Sequence, residues 1–135
     1  MFLFDTNIVS ELKRPERADP ALLAWAAGVP LSDTFLSAIT VFELELGVLL
    51  MERRDPIQGA ALRGWFDAQV LHRFTDQILP VDIQVARRCA PLFVPNPRPD
   101  RDALIAATAL VHGMTVVTRN VRHFEGTGVT VLNPV

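Results

Sequence analysis

The chain has 135 residues and a mass of 15.0 kDa, half of it apolar with a mean hydropathy of +0.26. That is enough apolar surface for one domain with its own core over residues 1–135, and it excludes global disorder. A formal net charge of −2 excludes a general pull onto nucleic acid, and Cys89, as the only cysteine, excludes an internal disulfide or a cysteine-based zinc site. No apolar run approaches the roughly 20 residues of a membrane span. The opening Met1-Phe2-Leu3-Phe4-Asp5 lacks a basic stretch and is not expected to be a signal peptide, so a cytoplasmic location is expected. Lys13 is the only lysine among thirteen basic residues, and the rest are arginines, the planar binders of phosphate and carboxylate.

Phe2-Leu3-Phe4 followed by Asp5-Thr6-Asn7 predicts a buried strand handing over to a helix cap, then a short helix over 8–13 stopped by Pro15. Pro20 suits the first position of a second helix over 21–27, which closes near Gly28. A strand over 34–38 leads into a long helix over 40–54. Its apolar residues fall on nearly every side, so it is expected to be buried by the core and by a second subunit. Asp55-Pro56 opens another helix to about residue 75, followed by a strand over 78–81 and a helix from Asp82 that ends before Pro95. Beyond the proline-rich loop 95–99 come a helix over 100–112 with Gly113 as its stop and a β-branched strand over 115–118. A helical turn over 120–124 and a last strand over 129–132 complete the chain. Short apolar strands alternating with helices define an α/β class with a parallel sheet covered on both faces. Ligands in such sheets bind beyond the carboxyl ends of the strands.

Four polar residues are expected at that edge. Asp5 ends the first strand, Glu43 lies early in the helix after the second, Asp102 opens the helix after the proline-rich loop, and Asn120 follows the 115–118 strand. Each has a purely structural use. Asp5 or Asn7 would cap the first helix, and Glu43 would reach back to the Thr40 amide in a capping box. Asp100 would cap its helix, with Asp102 complementing the dipole, and Asn120 would cap the last turn. Taken together they carry more information, because two aspartates and a glutamate at one edge repel unless a cation or proton intervenes. An oxygen-only set suits Mg²⁺ or Mn²⁺.

These residues also resemble a known family. Asp5-Thr6-Asn7, Glu43-Leu44 with Gly47, the stretch from Asp102-Ala103-Leu104 to Thr108-Ala109, and Val117-Thr118-Arg119-Asn120 are similar in order and spacing to PIN-domain ribonucleases. Within that family the order and spacing resemble VapC-type toxins of toxin–antitoxin pairs. Leu36-Ser37-Ala38-Ile39-Thr40-Val41 and Leu132-Asn133-Pro134 resemble the FitB-like branch. The resemblance implies a three-layer α/β/α fold with a five-stranded parallel sheet, a Mg²⁺-dependent endoribonuclease in which Mn²⁺ can substitute, and a homodimer. It also implies an antitoxin whose tail occupies the acidic pocket, often with an arginine, and RNA as substrate, with tRNA a candidate target. By position Asp5 and Asp102 match the family's metal-binding aspartates and Glu43 their acidic partner, while Thr6 and Thr118 match supporting hydroxyls.

Many relatives carry an aspartate where Asn120 or His123 stands, so the acid quartet becomes three carboxylates and an amide. One firmly held metal ion is the expectation. In the mechanism this implies, Glu43 orients the attacking water, and hydrolysis leaves 5′-phosphate and 3′-hydroxyl ends. Arg98, Arg101, Arg119 and Arg122 flank the pocket in sequence and are the expected phosphate contacts, unless they pair with nearby acids. His123 is read as a capping or packing side chain, and Trp25, Trp65 and Phe66 as packing residues. A receiver or dehalogenase-type phosphatase would place a lysine late in the chain, whereas Lys13 is early. The remaining alternative is a catalytically weak module that binds RNA or a protein partner.

Overall fold

The computed structural model describes all 135 residues, Met1–Val135. Strands β1 (Phe2–Phe4), β2 (Thr34–Ser37), β3 (Ile78–Leu79), β4 (Thr115–Val117) and β5 (Val131–Leu132) form one sheet in the order β3-β2-β1-β4-β5. Every pair is parallel. The chain steps one way from β1 to β3 and then returns to the other side of β1. Right-handed crossovers therefore place the first helices on one face and the later ones on the opposite face. The three-layer α/β/α arrangement follows.

Side-chain alternation along the strands feeds both layers. Phe4, Leu36 and Val117 pack with Ile8, Val9, Leu22, Leu44, Val48, Phe66 and Phe74 against helices α1 (Thr6–Leu12), α2 (Pro20–Ala27) and α3 (Ala38–Arg54) and those that follow α3. Leu3 and Val116 face the other way, onto Ile105, Ala106 and Ala109 of α7 (Asp100–His112). The small buried residues of α7 let it lie close to the sheet and to α6 (Ile83–Cys89), where Ala103 and Ala107 meet Val85 and Cys89. No helix is long and apolar enough to cross a membrane.

Several local expectations are corrected. The first helix begins at Thr6, capped by Asp5, not at residue 8. The third begins at Ala38 because the Ser37 hydroxyl accepts from the Ile39 amide, so Glu43 is in the second turn and makes no capping box. Helix α7 has no side-chain cap at all, since Pro99 takes the cap position and Asp100 is already helical. The helix expected over 55–75 is α4 (Pro56–Trp65), a π-helical segment (Phe66–Val70) and α5 (Leu71–Arg73) in succession. The strands expected over 78–81 and 129–132 are each only two residues long. Within one chain α3 is buried on a single face, through Thr40, Leu44 and Val48, while Phe42, Leu49 and Leu50 are exposed.

Candidate active site

The switch in strand order falls between β1 and β4, and a crevice at such a point lies beyond the strands' carboxyl ends. Asp5 leaves β1 and Thr118 leaves β4 at that place, their strands tied by the Asp5 amide to Val117 carbonyl bond of 2.9 Å. Asp5 is only 5% exposed and Thr118 is fully buried.

A buried carboxylate survives where donors surround it. The Thr118 hydroxyl donates to Asp5 Oδ2 at 2.8 Å, Asn7 Nδ2 donates to the same oxygen at 3.1 Å, and the Thr6 amide donates to Oδ1 at 2.8 Å. Thr118 Oγ1 in turn accepts from Asn7 Nδ2 at 3.2 Å and from the Asn120 amide at 2.9 Å. Asn7 Oδ1 accepts from the Arg119 amide at 3.1 Å. Asp5 thus caps α1 and stands in a cluster as well, so the two readings of its sequence position hold at once.

Glu43 reaches the same place from α3. Its Oε1 accepts from the Thr6 hydroxyl at 2.7 Å, and its Oε2 lies 3.6 Å from Arg101. Asp102, on the first turn of α7, pairs with His123 through Oδ2 and Nδ1 at 3.1 Å. Asp102 is near enough to raise the Asp5 pKa by its charge, and Glu43 does the same to Asp102. Burial is the largest cause for both aspartates, and both are raised from their ordinary value. Two raised carboxyls in one crevice are a recurrent mark of functional sites.

Asn120 is placed differently. Its amide meets Thr118, but its exposed side chain makes no hydrogen bond and does not cap the last turn (Val121–Phe124). The arginines mostly have protein partners. Arg119 pairs with Glu11 at 3.0 Å, and Arg98 donates to the carbonyls of Leu92 and Glu125 at 3.0 and 3.1 Å, bracing the loop before α7. Arg101 lies over the Phe42 ring beside Glu43. Phe66 is fully buried, and Trp25 packs edge-on against Phe2, as expected of packing residues. Two participants were not assigned to the site from sequence. Asn7 was read only as a cap and His123 as a capping or packing side chain, yet one holds Asp5 and the other holds Asp102.

The donor set bears on a metal. No three His, Cys, Asp or Glu side chains converge into a ready cage, since Glu43 is turned to Thr6 and Asp102 to His123. Mg²⁺ asks for less than a cage: it dehydrates reluctantly and is held by one or two carboxylates with water in its remaining positions. Asp5 and Asp102 carry carboxylate oxygens of that kind, and their burial and repulsion are what a cation would relieve.

Comparisons with known proteins agree with this architecture. Residues 2–128 match the PIN domain. The VapC ribonuclease Y4jK of Sinorhizobium fredii is 35% identical over 142 residues, covering 99% of this chain and 97% of that protein. Toxin FitB of Neisseria gonorrhoeae is 37% identical over 139 residues, covering 99% and 98%. The crystal structure of FitAcB from Neisseria gonorrhoeae superposes with a TM-score of 0.89 at 37% identity, over 99% of this chain and 98% of that one. The chain belongs to the PIN-domain family, among its VapC- and FitB-like members.

Proposed function

We propose that this protein is a Mg²⁺-dependent endoribonuclease acting as the toxin of a toxin–antitoxin pair in the cytosol. The observation that carries the reading is the crevice at the β1/β4 switch point, where Asp5, Glu43 and Asp102 are gathered and burial raises the pKa of both aspartates. Its relatives include a ribonuclease and a toxin by name, and a similar solved structure is a toxin–antitoxin complex, which supports an antitoxin partner; the tail of that partner would occupy the acidic pocket.

Asp5 and Asp102 would hold Mg²⁺, or Mn²⁺ in its place. The chemistry it would supply there is neutralisation of the crevice and Lewis-acid activation of phosphate and water. The chain's own groups do the rest. Thr118 and Asn7 hold the Asp5 carboxylate in place by donating to its Oδ2. Glu43, with Oε1 fixed by Thr6, would release Oε2 from Arg101 to orient the attacking water and accept its proton. His123 holds Asp102, and Asn120 presents a neutral amide at the rim. Arg101 is the arginine nearest the acids and would meet a phosphate once Glu43 turns to water. In-line hydrolysis would leave 5′-phosphate and 3′-hydroxyl ends on the RNA, with tRNA a candidate target. The exposed apolar residues of α3 support a homodimer.

The test is cleavage of a panel of tRNAs and structured RNAs with Mg²⁺ or Mn²⁺ and with EDTA, beside Asp5→Asn. Metal-dependent cutting that disappears in the folded variant is expected. Cutting that survives EDTA or the substitution would remove the assignment, and metal binding without cutting of any RNA would favour a binding module.

A further inference from the structure

A groove of about 430 Å³ shares Thr6 and Glu43 with the acidic crevice. Lys13, Arg14 and Arg17 line its length, and Trp65 and Leu62 form an apolar wall. The cations come from the turn after α1. The amides of Arg17 and Ala18 donate to the Arg14 carbonyl at 2.9 and 3.0 Å, which folds Arg14 and Arg17 onto the same side of the chain. None of the three takes part in an ion pair. The six salt bridges of the molecule use Arg63, Arg101, Arg119 and His123 as their cations.

The groove's own acids do not neutralise these cations. Glu11 is committed to Arg119 and to the Asp19 amide, and Glu43 belongs to the crevice. Glu16 shares the turn but does not line the groove. Lys13 is held below its usual pKa first by burial and then by the neighbouring Arg14 charge, so like charges crowd here. Lys13 Nζ stands over the Trp65 ring at 5.6 Å, joining the cationic edge to the apolar wall.

We infer that this groove is the path of the RNA strand flanking the cleaved bond, with Lys13, Arg14 and Arg17 contacting successive phosphates and the Trp65 wall packing against a base. A cationic track beside an aromatic surface is how single strands are gripped without sequence readout. A cavity of this size also has room for a nucleotide. The inference rests on the ribonuclease reading and adds to it the place where the substrate is held. It also assigns the grip to residues other than Arg98 and Arg119, which the fold commits elsewhere.

The experiment uses the full chain carrying Asp5→Asn, so that bound RNA is not cut, and a short fluorescein-labelled single-stranded RNA of mixed sequence. Anisotropy titrations at several salt concentrations compare this protein with versions adding Arg14→Glu/Arg17→Glu or, as a charge-matched control, Arg87→Glu/Arg88→Glu on exposed α6. The groove variant should bind about tenfold or more weakly, and its salt slope should fall by about 1.4, two single-strand phosphate contacts. The α6 variant should share in neither change beyond the general effect of net charge. Circular dichroism checks that both fold. Equal losses in the two variants, an unchanged slope, or no RNA binding by the parent protein would each overturn the inference. Unchanged RNA affinity with lost binding of the cognate antitoxin would give the groove to the protein partner and overturn it too. The cleavage assay on the wild-type chain judges the ribonuclease reading separately.

Discussion

Burial pushes the Asp5 carboxyl up, and the charge of Asp102 adds to it, while the Thr118 hydroxyl and the Thr6 amide pull it back. For Asp102, burial and Glu43 push up and His123 opposes them. A carboxyl whose folded pKa exceeds its unfolded value of about 3.9 keeps its proton longer in the folded chain. Metal-free stability therefore falls as pH rises through the folded pKa, and the penalty is absent below both values. Asp102→Asn removes one such penalty and retains an oxygen for His123 to donate to. The metal-free variant should melt above wild type at neutral pH, with the difference closing as pH falls toward about 4. Added Mg²⁺ should raise the melting temperature of wild type and leave the variant nearly unmoved. Circular dichroism melts with and without EDTA check both, and a difference independent of pH would assign the effect to something other than the Asp102 charge. Asp5, Glu43 and Asp102 were legible in the sequence because a strand end or a helix start locates a side chain to within a turn. Asn7 was not, because its bonds reach Thr118 and Arg119, 111 and 112 residues away, and no local pattern encodes such a pairing. His123 was hidden for a related reason. Its direction depends on how the turn Val121–Phe124 folds back over α7.

Helix α3 and the run that follows it show where periodicity stops being informative. A hydrophobic pattern at helical spacing does not register the change of phase that a π-helical segment introduces. The stretch from Pro56 to Arg73 therefore reads as one helix, although Phe66–Val70 shifts the face that follows. The start of α3 was misplaced because Thr40 and Glu43 match a capping box, whereas Ser37 caps earlier and Glu43 is drawn to Thr6. What the α3–α4 pair does require is close backbone approach at Gly59. A Cβ there would fall inside contact distance of the Glu52 Cα, 2.8 Å from its amide nitrogen, and helical backbone cannot give way as a flexible side chain would. Arg63 fastens the same pair by reaching Glu45 and Glu52 on α3, at 2.6 and 3.3 Å. Gly59→Ala improves helix propensity, yet overpacking should dominate and destabilise the fold by about 1–3 kcal/mol. Chemical denaturation with the slope unchanged is the measurement. A stabilised variant would mean that the two helices pack less tightly than their spacing here.

At the scale of the whole molecule, the acidic crevice and the exposed apolar surface are separate features of α3. Thr40 and Glu43 face the sheet's carboxyl edge, while Phe42, Leu49 and Leu50 are 45, 51 and 60% exposed, joined by Ile57 of α4 at 85%. Phe42 and Leu49 are seven residues apart, so two helical turns bring them to one face. A soluble monomer rarely leaves such a group of large side chains in water, and the same helix face on a second copy is its simplest cover, through a two-fold axis. The sequence-based expectation that α3 is apolar on nearly all sides thus divides into a face the chain buries itself and a face left for the proposed dimer. Leu49→Glu/Leu50→Glu places four like charges across that axis while touching none of Asp5, Glu43 or Asp102. Wild type should scatter light as a dimer of the 15.0 kDa chain at micromolar concentration, and the variant as the monomer. Because every proposed metal-holding residue comes from one chain, the monomeric variant should keep its Mg²⁺-induced thermal shift. A variant that remains dimeric would move the interface away from α3, and one that loses the shift would mean that the crevice needs the second copy for its shape.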